Sequence, residues 1–169
     1  IESGGSINTT TVGDGDAGTI DIAASDSIYL TNAGGERFSL IAALQGRPVP
    51  GIVSATVGRG AGGSIRLAAP QITVTDGAIV ATTTVGGGAG GSIDLRGDRI
   101  RIANGGVVDT TSLLNPFTGA PGGDAGSVTL EARDRIEVVG RHPEFGNVSR
   151  VTSGSFGSGE AGELTLRAP

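Results

Sequence analysis

The stretch Val85-Gly86-Gly87-Gly88-Ala89-Gly90-Gly91-Ser92-Ile93 decides the fold, because variants of it recur along the chain. Its form is an apolar residue followed by G-x-G-x-[AG]-G-x-[IL]. The same form occupies residues 12–20, 57–65 and 156–164, and a degenerate copy, residues 123–128, follows an insertion. Five copies of one pattern indicate a repeat protein rather than a conventional globular domain.

Each glycine segment leads into short stretches in which apolar and polar residues alternate, and a period of two indicates β-strands. The unit therefore contains three strands and three turns. First strands carry Ile20/Ile22, Ile65/Leu67, Ile93/Leu95, Val128/Leu130 and Leu164/Leu166; second strands carry Ile28/Leu30, Ile72/Val74, Ile100/Ile102 and Ile136/Val138; third strands carry Ile7, Ile52, Val80, Val108 and Val151.

The turns are too short for a crossover helix, so each strand is expected to pair with its equivalent in the next copy. The sequence therefore predicts an all-β fold, a parallel β-helix (solenoid) with three strands per coil and about five rungs. The shortest unit, Ile65 to Ile93, has 28 residues. Insertions at turns near 31–51, 113–122 and 140–147 lengthen the others. We expect residues 1–169 to form a single segment of a longer repeat protein.

The third strands carry hydroxyl residues on one face in all five copies. We interpret this face as pointing inward, because the opposite face would bury Asp109 without a partner. Stacked hydroxyls are then expected to donate hydrogen bonds to one another along the axis, as a structural ladder. The ladder comprises Thr9, Thr11, Ser54, Thr56, Thr82, Thr84, Thr110, Ser112, Ser153 and Ser155.

The composition excludes several classes of function. A net charge of −5 argues against nucleic acid and anionic membranes as partners. The absence of Cys excludes a disulfide framework and a thiolate metal site, and we expect no cofactor. The first residues lack the basic and apolar regions of a signal peptide, so we expect any targeting signal to lie outside this segment.

The phrase Asp76-Gly77-Ala78, the Thr-rich strand after it and the glycine segment 86–95 together resemble the repeats of filamentous haemagglutinin-like exoproteins, especially the cyanobacterial ones. The resemblance covers the whole chain. It implies a very long β-helix that leaves the cell through a dedicated outer-membrane pore, the two-partner secretion route, and acts as an adhesin or surface fibre. Right-handedness follows from this resemblance and from the usual hand of parallel crossovers.

The resemblance implies a secreted or cell-surface protein. Its expected partners are the outer-membrane secretion pore, a surface glycan or a host or cell receptor, and either a second copy or the continuation of a longer chain. Ile1 aligns with Val74, and Pro169 aligns with Pro70, so the segment is nearly a whole number of coils. Nothing recognisable protects the strand edges at either end, which predicts either that the chain continues as a longer helix or that copies stack head to tail into a filament.

Two short motifs suggest ligands, and each has a simpler interpretation. Asp14 and Asp16 resemble calcium-binding glycine–aspartate repeats, but the equivalent positions in the second and third copies carry no carboxylate, so we predict no calcium ladder. Arg96-Gly97-Asp98 spells an integrin-recognition tripeptide. Asp98 is expected in the turn between the first and second strands, where turn chemistry accounts for it.

We expect that the chain is not an enzyme. His142 is the single His and no Cys is present, so a nucleophile would lack a base. The alternative is a glycan-binding or glycan-cleaving β-helix, but the outward acidic residues alternate with Arg, which is typical of a solvated face. A third alternative, ice binding, would use an outward row of Thr10, Thr83 and Thr111.

Overall fold

The computed structural model describes residues 1, 5–33, 50–116 and 118–169, and the described residues form β-strands and turns without a helix. The insertion predicted near 31–51 lies mostly outside them. The strands are β1 (Ser6–Gly13), β2 (Ile20–Ala23), β3 (Ser27–Thr31), β4 (Gly51–Gly58), β5 (Ile65–Ala68), β6 (Gln71–Thr75), β7 (Ile79–Val85), β8 (Ile93–Ala103), β9 (Val107–Leu113), β10 (Val128–Val139), β11 (Arg150–Phe156) and β12 (Leu164–Arg167).

The strands form parallel sheets in which each strand pairs with its equivalent one copy along the sequence. The third strands form one sheet in the order β1-β4-β7-β9-β11, and the first strands form a second in the order β2-β5-β8-β10-β12. Strand β6 pairs with β3 and β8 in that second sheet. Val80 lies between Ile52 and Val108, so the register agrees with the sequence alignment.

The expected division into three separate strands is wrong for the third and fourth copies, where β8 and β10 each run through the first two strand positions. At Gly97 the strand passes so close to the second copy that a Cβ would lie 2.3 Å from the Ala69 carbonyl oxygen. In β10 the register shifts between Ala132 and Arg135, as in a β-bulge.

The core is built from columns of aliphatic side chains, one from each copy, that stack across the paired strands. Ile65, Ile93 and Val128 form part of one column and are at most 1% exposed. Burial of each such side chain contributes about 1.5–3 kcal/mol, so these columns are the main source of stability. Some end members of these columns are exposed, since Leu164 is 44% and Ile7 39% accessible, whereas Ile20, at the other end of the Ile65 column, is 6% accessible.

The glycine segments are needed because the backbones of successive copies pack directly against each other at several positions there. A Cβ on Gly88 would lie 1.9 Å from the Gly60 carbonyl oxygen, and one on Gly91 would lie 1.9 Å from that of Gly63. The parallel pairing continues through the segment, since the Gly90 amide donates to the Asp124 carbonyl at 2.7 Å. The repeated glycines therefore keep the copies at the spacing of a sheet.

Two Xaa-Gly turns join the second strands to the third strands. Asp76-Gly77 and Asn104-Gly105 have positive φ at both residues, with values of 52° and 78° in the first turn and 47° and 80° in the second. Each turn is closed by one backbone hydrogen bond, Ala78 N to the Thr75 oxygen at 3.0 Å in the first. This is the type I′ geometry that Asp-Gly and Asn-Gly favour.

Candidate functional site: the hydroxyl rows and the outer faces

The structure brings the predicted hydroxyl residues together on the inner face of the sheet formed by β1, β4, β7, β9 and β11. The six hydroxyls of the second, third and fourth copies are at most 1% exposed, and those of the first and fifth copies are partly exposed. The buried six are Ser54, Thr56, Thr82, Thr84, Thr110 and Ser112.

The predicted hydrogen bonding of these hydroxyls is wrong, because most of them donate to glycine-segment carbonyls rather than to one another. Thr82 Oγ1 donates to the Gly91 oxygen at 2.9 Å. Thr110 Oγ1 donates to the Gly126 oxygen at 2.6 Å. One bond of the predicted kind occurs within the ladder, from Thr9 Oγ1 to Ser54 Oγ at 3.0 Å. Seven further bonds to carbonyls have Thr9, Thr11, Ser54, Thr56, Thr84, Ser153 and Ser155 as donors, and Thr9 and Ser54 share the Gly18 oxygen.

Ser112 departs from this pattern: among the described residues its buried hydroxyl has no hydrogen-bond partner. In the second and third copies the acceptor lies five residues later, as in Thr56 to Ala61 at 3.0 Å and Thr84 to Ala89 at 3.3 Å. The insertion that begins after Leu113 displaces the glycine segment in the fourth copy. The hydroxyl rows therefore fasten each third strand to a glycine segment, and they form no open chemical site.

The opposite face of this sheet does not present the Thr row that ice binding would need. Thr10 is exposed, but Thr83 is only 5% accessible. Thr111 Oγ1 donates to the Asp109 carboxylate at 2.5 Å, and Thr152 Oγ1 donates to the same carboxylate. Asp109 therefore has hydrogen-bond donors on the outer face. This agrees with the inward placement of the hydroxyl rows.

Asp14 and Asp16 lie in the first glycine segment, where the structure gives Asp16 a structural partner. Asp16 Oδ1 accepts a hydrogen bond from the Ala61 amide at 2.7 Å, and Asp124 Oδ1 accepts one from the Glu160 amide at 2.9 Å. Within the described ranges, no group of three or more His, Cys, Asp or Glu side chains could hold a metal ion. These carboxylates link the backbones of successive copies.

Arg96-Gly97-Asp98 lies inside β8 and not in a turn, which corrects the sequence-based placement of Asp98. The Arg96 guanidinium lies 2.7 Å from the Asp94 carboxylate and 3.4 Å from that of Glu131. Asp98 pairs with Arg133 at 3.4 Å. Both charged groups of the tripeptide are therefore engaged by neighbours in the sheet.

The outer face of β8, β10 and β12 carries a network of ion pairs between copies. Arg101 pairs with Glu137 at 2.5 Å, and Arg167 pairs with Glu131 at 2.9 Å. Arg99 lies 2.5 Å from Asp134, and its hydrogen bond lowers the pKa of Asp134 below the usual range, while partial desolvation opposes this effect. Beside the network lies a groove of about 680 Å³ with small residues along its floor.

His142 is buried in the fold and is not an exposed base. It is 4% exposed, its ring stacks on Phe145 with centroids 4.4 Å apart, and its Nδ1 accepts hydrogen bonds from the Glu144 and Phe145 amides. Its burial depends on contacts with Gly77 and Gly105, which are distant in sequence, so no local pattern could have revealed it.

No protein-family model, curated protein or solved structure matches the chain. Within the described ranges, no helix is long and apolar enough to cross a membrane.

Proposed function

We propose that this chain is a segment of a right-handed parallel β-helix of about five coils, and that it is a structural part of a secreted or cell-surface adhesin or extracellular fibre. The observation that carries the proposal is the uninterrupted parallel register of the third strands through all five copies. Parallel strands joined by short turns, each paired one copy along, are what a coiling chain produces.

Three further features support a structural role over a catalytic one. The polar side chains of the interior bind backbone carbonyls, the carboxylates of the glycine segments bind backbone amides, and the outer charges pair with one another. Each of these interactions links one strand or copy to another. Export through an outer-membrane pore and attachment to a glycan or cell receptor belong to the same proposal through the resemblance to filamentous haemagglutinin-like exoproteins.

The exposed end columns support association of this segment with a further coil, from a second copy or from a longer chain. Val12 and Phe156 are 77% and 63% exposed, yet they are the end members of one column whose inner member Val85 is 1% exposed. Leu164 and Leu166 are similarly the half-exposed ends of the first-strand columns. A coil placed against either end would bury these side chains.

Electron microscopy and sedimentation velocity of the isolated chain test the association. We expect rods that lengthen with protein concentration, and we expect Leu164→Glu to prevent their growth because it places a charge in the end column. Val148→Glu is the matched control, since Val148 is 48% exposed but lies in a side loop. A wild-type chain that stays monomeric at high concentration would reject self-association.

The groove on the outer face favours one second candidate, the binding of a glycan. The groove is lined by the small residues Ala69, Gly97 and Ala132 and by the charged residues Arg96 and Glu131, among others. Small apolar groups can contact the C–H faces of sugar rings, and the charged edge can bond their hydroxyls. Successive strands lie about 4.8 Å apart, which is close to the length of one sugar unit in an extended β-linked chain.

Calorimetric titration with a neutral β-1,4-linked glucan hexasaccharide tests this candidate. Ala132→Leu should fill the floor and abolish the heat of binding, whereas Thr165→Leu, on the neighbouring strand, should leave it unchanged. If the wild-type protein gives no heat of binding with millimolar oligosaccharide, the groove is not a site for this class of glycan.

A further inference from the structure

Residues 140–149, here called the His142 loop, form a compact insertion after β10. Arg141 and Val148 form an antiparallel bridge, the His142 amide donates to the Asn147 oxygen at 2.8 Å, and the Gly146 amide donates to the His142 oxygen at 2.9 Å. These backbone bonds hold the loop together internally.

His142 packs against both type I′ turns, through its ring at Gly77 and through its Cβ and backbone at Gly105. A Cβ on Gly105 would lie 2.7 Å from His142 Cβ, and a Cβ on Gly77 would lie 3.3 Å from His142 Cδ2. The space that these glycines leave is where the 4%-exposed His142 lies. Ser149 adds a second attachment, because its Oγ accepts the Gly105 amide at 3.0 Å and donates to the Val139 oxygen at 2.6 Å.

The hydrogen bonds of the ring determine its protonation state. His142 Nδ1 lies 3.2 Å from both the Glu144 and the Phe145 backbone nitrogens, which can only donate. Nδ1 must therefore be without a proton, and the neutral ring carries its hydrogen on Nε2. In an imidazolium both ring nitrogens carry a proton. The Nδ1–H group would then point at the N–H groups of Glu144 and Phe145, and neither could act as an acceptor.

We propose that protonation of His142 releases the His142 loop from the type I′ turns, which makes the loop an acid-sensitive element on the side of the structure. Uptake of the proton costs both amide bonds and leaves a charge that is almost fully buried. Docking therefore requires the neutral imidazole, and protonation of the ring weakens it.

In the part of the chain that the structure describes, the hydrogen bonds of the imidazole ring come from backbone amides and not from a carboxylate. Within the loop the charged groups are Arg141, which disfavours a second positive charge, and the exposed Glu144. On the β6–β7 turn the charged group is Asp76, whose carboxylate already accepts hydrogen bonds from Thr31 Oγ1 at 3.2 Å and Asn104 Nδ2 at 3.1 Å. The β8–β9 turn contributes Asn104 and Gly105, which carry no charge.

NMR spectroscopy of the full chain tests the proposal, and the imidazole signals are unambiguous because the chain has a single His. At pH 7.5 the ring nitrogens should show the Nε2–H tautomer. Between pH 7.5 and 5.5, a window that lies above the ordinary range of carboxylates near 4, the protection of the Glu144 and Phe145 amides should fall at least tenfold after correction for intrinsic exchange. The Leu95 amide in the core should keep its protection.

Two variants separate the switch from a general loss of structure. His142→Gln keeps an acceptor but cannot titrate in this window, so any protection that it retains at the Phe145 amide should not change with pH. His142→Phe keeps an aromatic ring for stacking but has no acceptor, and its loop amides should exchange rapidly at both pH values. Constant wild-type protection across the window, or an Nδ1–H tautomer at pH 7.5, would overturn the proposal.

Discussion

Replacement of Gly88 by Ala adds one methyl group where two copies touch through their backbones. The new Cβ would lie 1.9 Å from the Gly60 carbonyl oxygen and 3.0 Å from the Arg59 carbonyl oxygen. Neither atom belongs to a flexible side chain, so relief requires the glycine segments of two copies to move apart. Because the Gly62 amide donates to the Ala89 carbonyl at 2.7 Å, such movement also stretches the hydrogen bonds between the segments.

The neighbouring residue provides a matched control. A Cβ on Gly87 would meet nothing within 4 Å, and Gly87 has no positive φ, so Ala fits there without strain. Overpacking costs typically about 1–3 kcal/mol, and we expect Gly88→Ala to cost about 3 kcal/mol because only backbone can yield. For a chain of this size, that lowers the Tm by about 6–12 °C. Gly87→Ala should be neutral or stabilise by up to about 1 kcal/mol, through the entropy of the unfolded chain.

Circular dichroism melts of the wild type and the two variants decide the matter, with the β-sheet signal at 20 °C as a check on folding. The useful quantity is the difference between the two Ala variants, since both change Gly to Ala in the same turn. If their Tm values agree within about 2 °C, the copies are not in backbone contact at Gly88. The stacking of glycine segments described above would then be wrong.

Thr82→Val should lower the free energy of unfolding by about 1–2 kcal/mol, because the Gly91 carbonyl loses its hydrogen-bond donor. Thr82→Asp should abolish the melting transition in circular dichroism, because it buries an unpaired charge. An Asp variant that melts like the wild type would mean that Thr82 lies on the outer face. The hydrogen bond from Arg99 lowers the pKa of Asp134, so the stabilisation by this pair is present above the ordinary aspartate range and is lost as the pH falls through the lowered pKa. Arg99→Ala should therefore raise the pKa of Asp134 in a carboxyl ¹³C NMR titration. Calcium should leave the Tm equal to that in chelator, since Asp16 Oδ1 already accepts a backbone amide; a rise of several degrees would contradict this.

The strand register could be predicted from sequence because the insertions fall at turns and leave the alternation of the strands intact. Ile52, Val80 and Val108 align by counting residues from the glycine segments, and they are paired in this way. Period-two alternation determines which side chains share a face, so the common face of the hydroxyl rows could also be predicted.

Features that depend on how the turns fold back could not be predicted in this way. The acceptor of Thr82 is the carbonyl of Gly91, and its direction depends on the conformation of the glycine segment rather than on residue type. The passage of β8 through Gly97 depends on the proximity of Ala69 in another copy. His142 is buried by contacts with residues about 40–65 positions away, which alternation over a few residues does not record.

The ion pairs of the outer face determine which copy can neighbour which. The glycine segments and aliphatic columns are nearly the same in every copy, so on packing alone one copy could replace another or slip along the stack. The charges differ: Arg96, Arg99 and Arg101 of the third copy form ion pairs with Glu131, Asp134 and Glu137 of the fourth. Exposed pairs add little stability, but a misplaced neighbour would bring like charges together. High salt, by screening these charges, should therefore let wrongly ordered stacks persist in refolding even where it leaves the melting temperature unchanged.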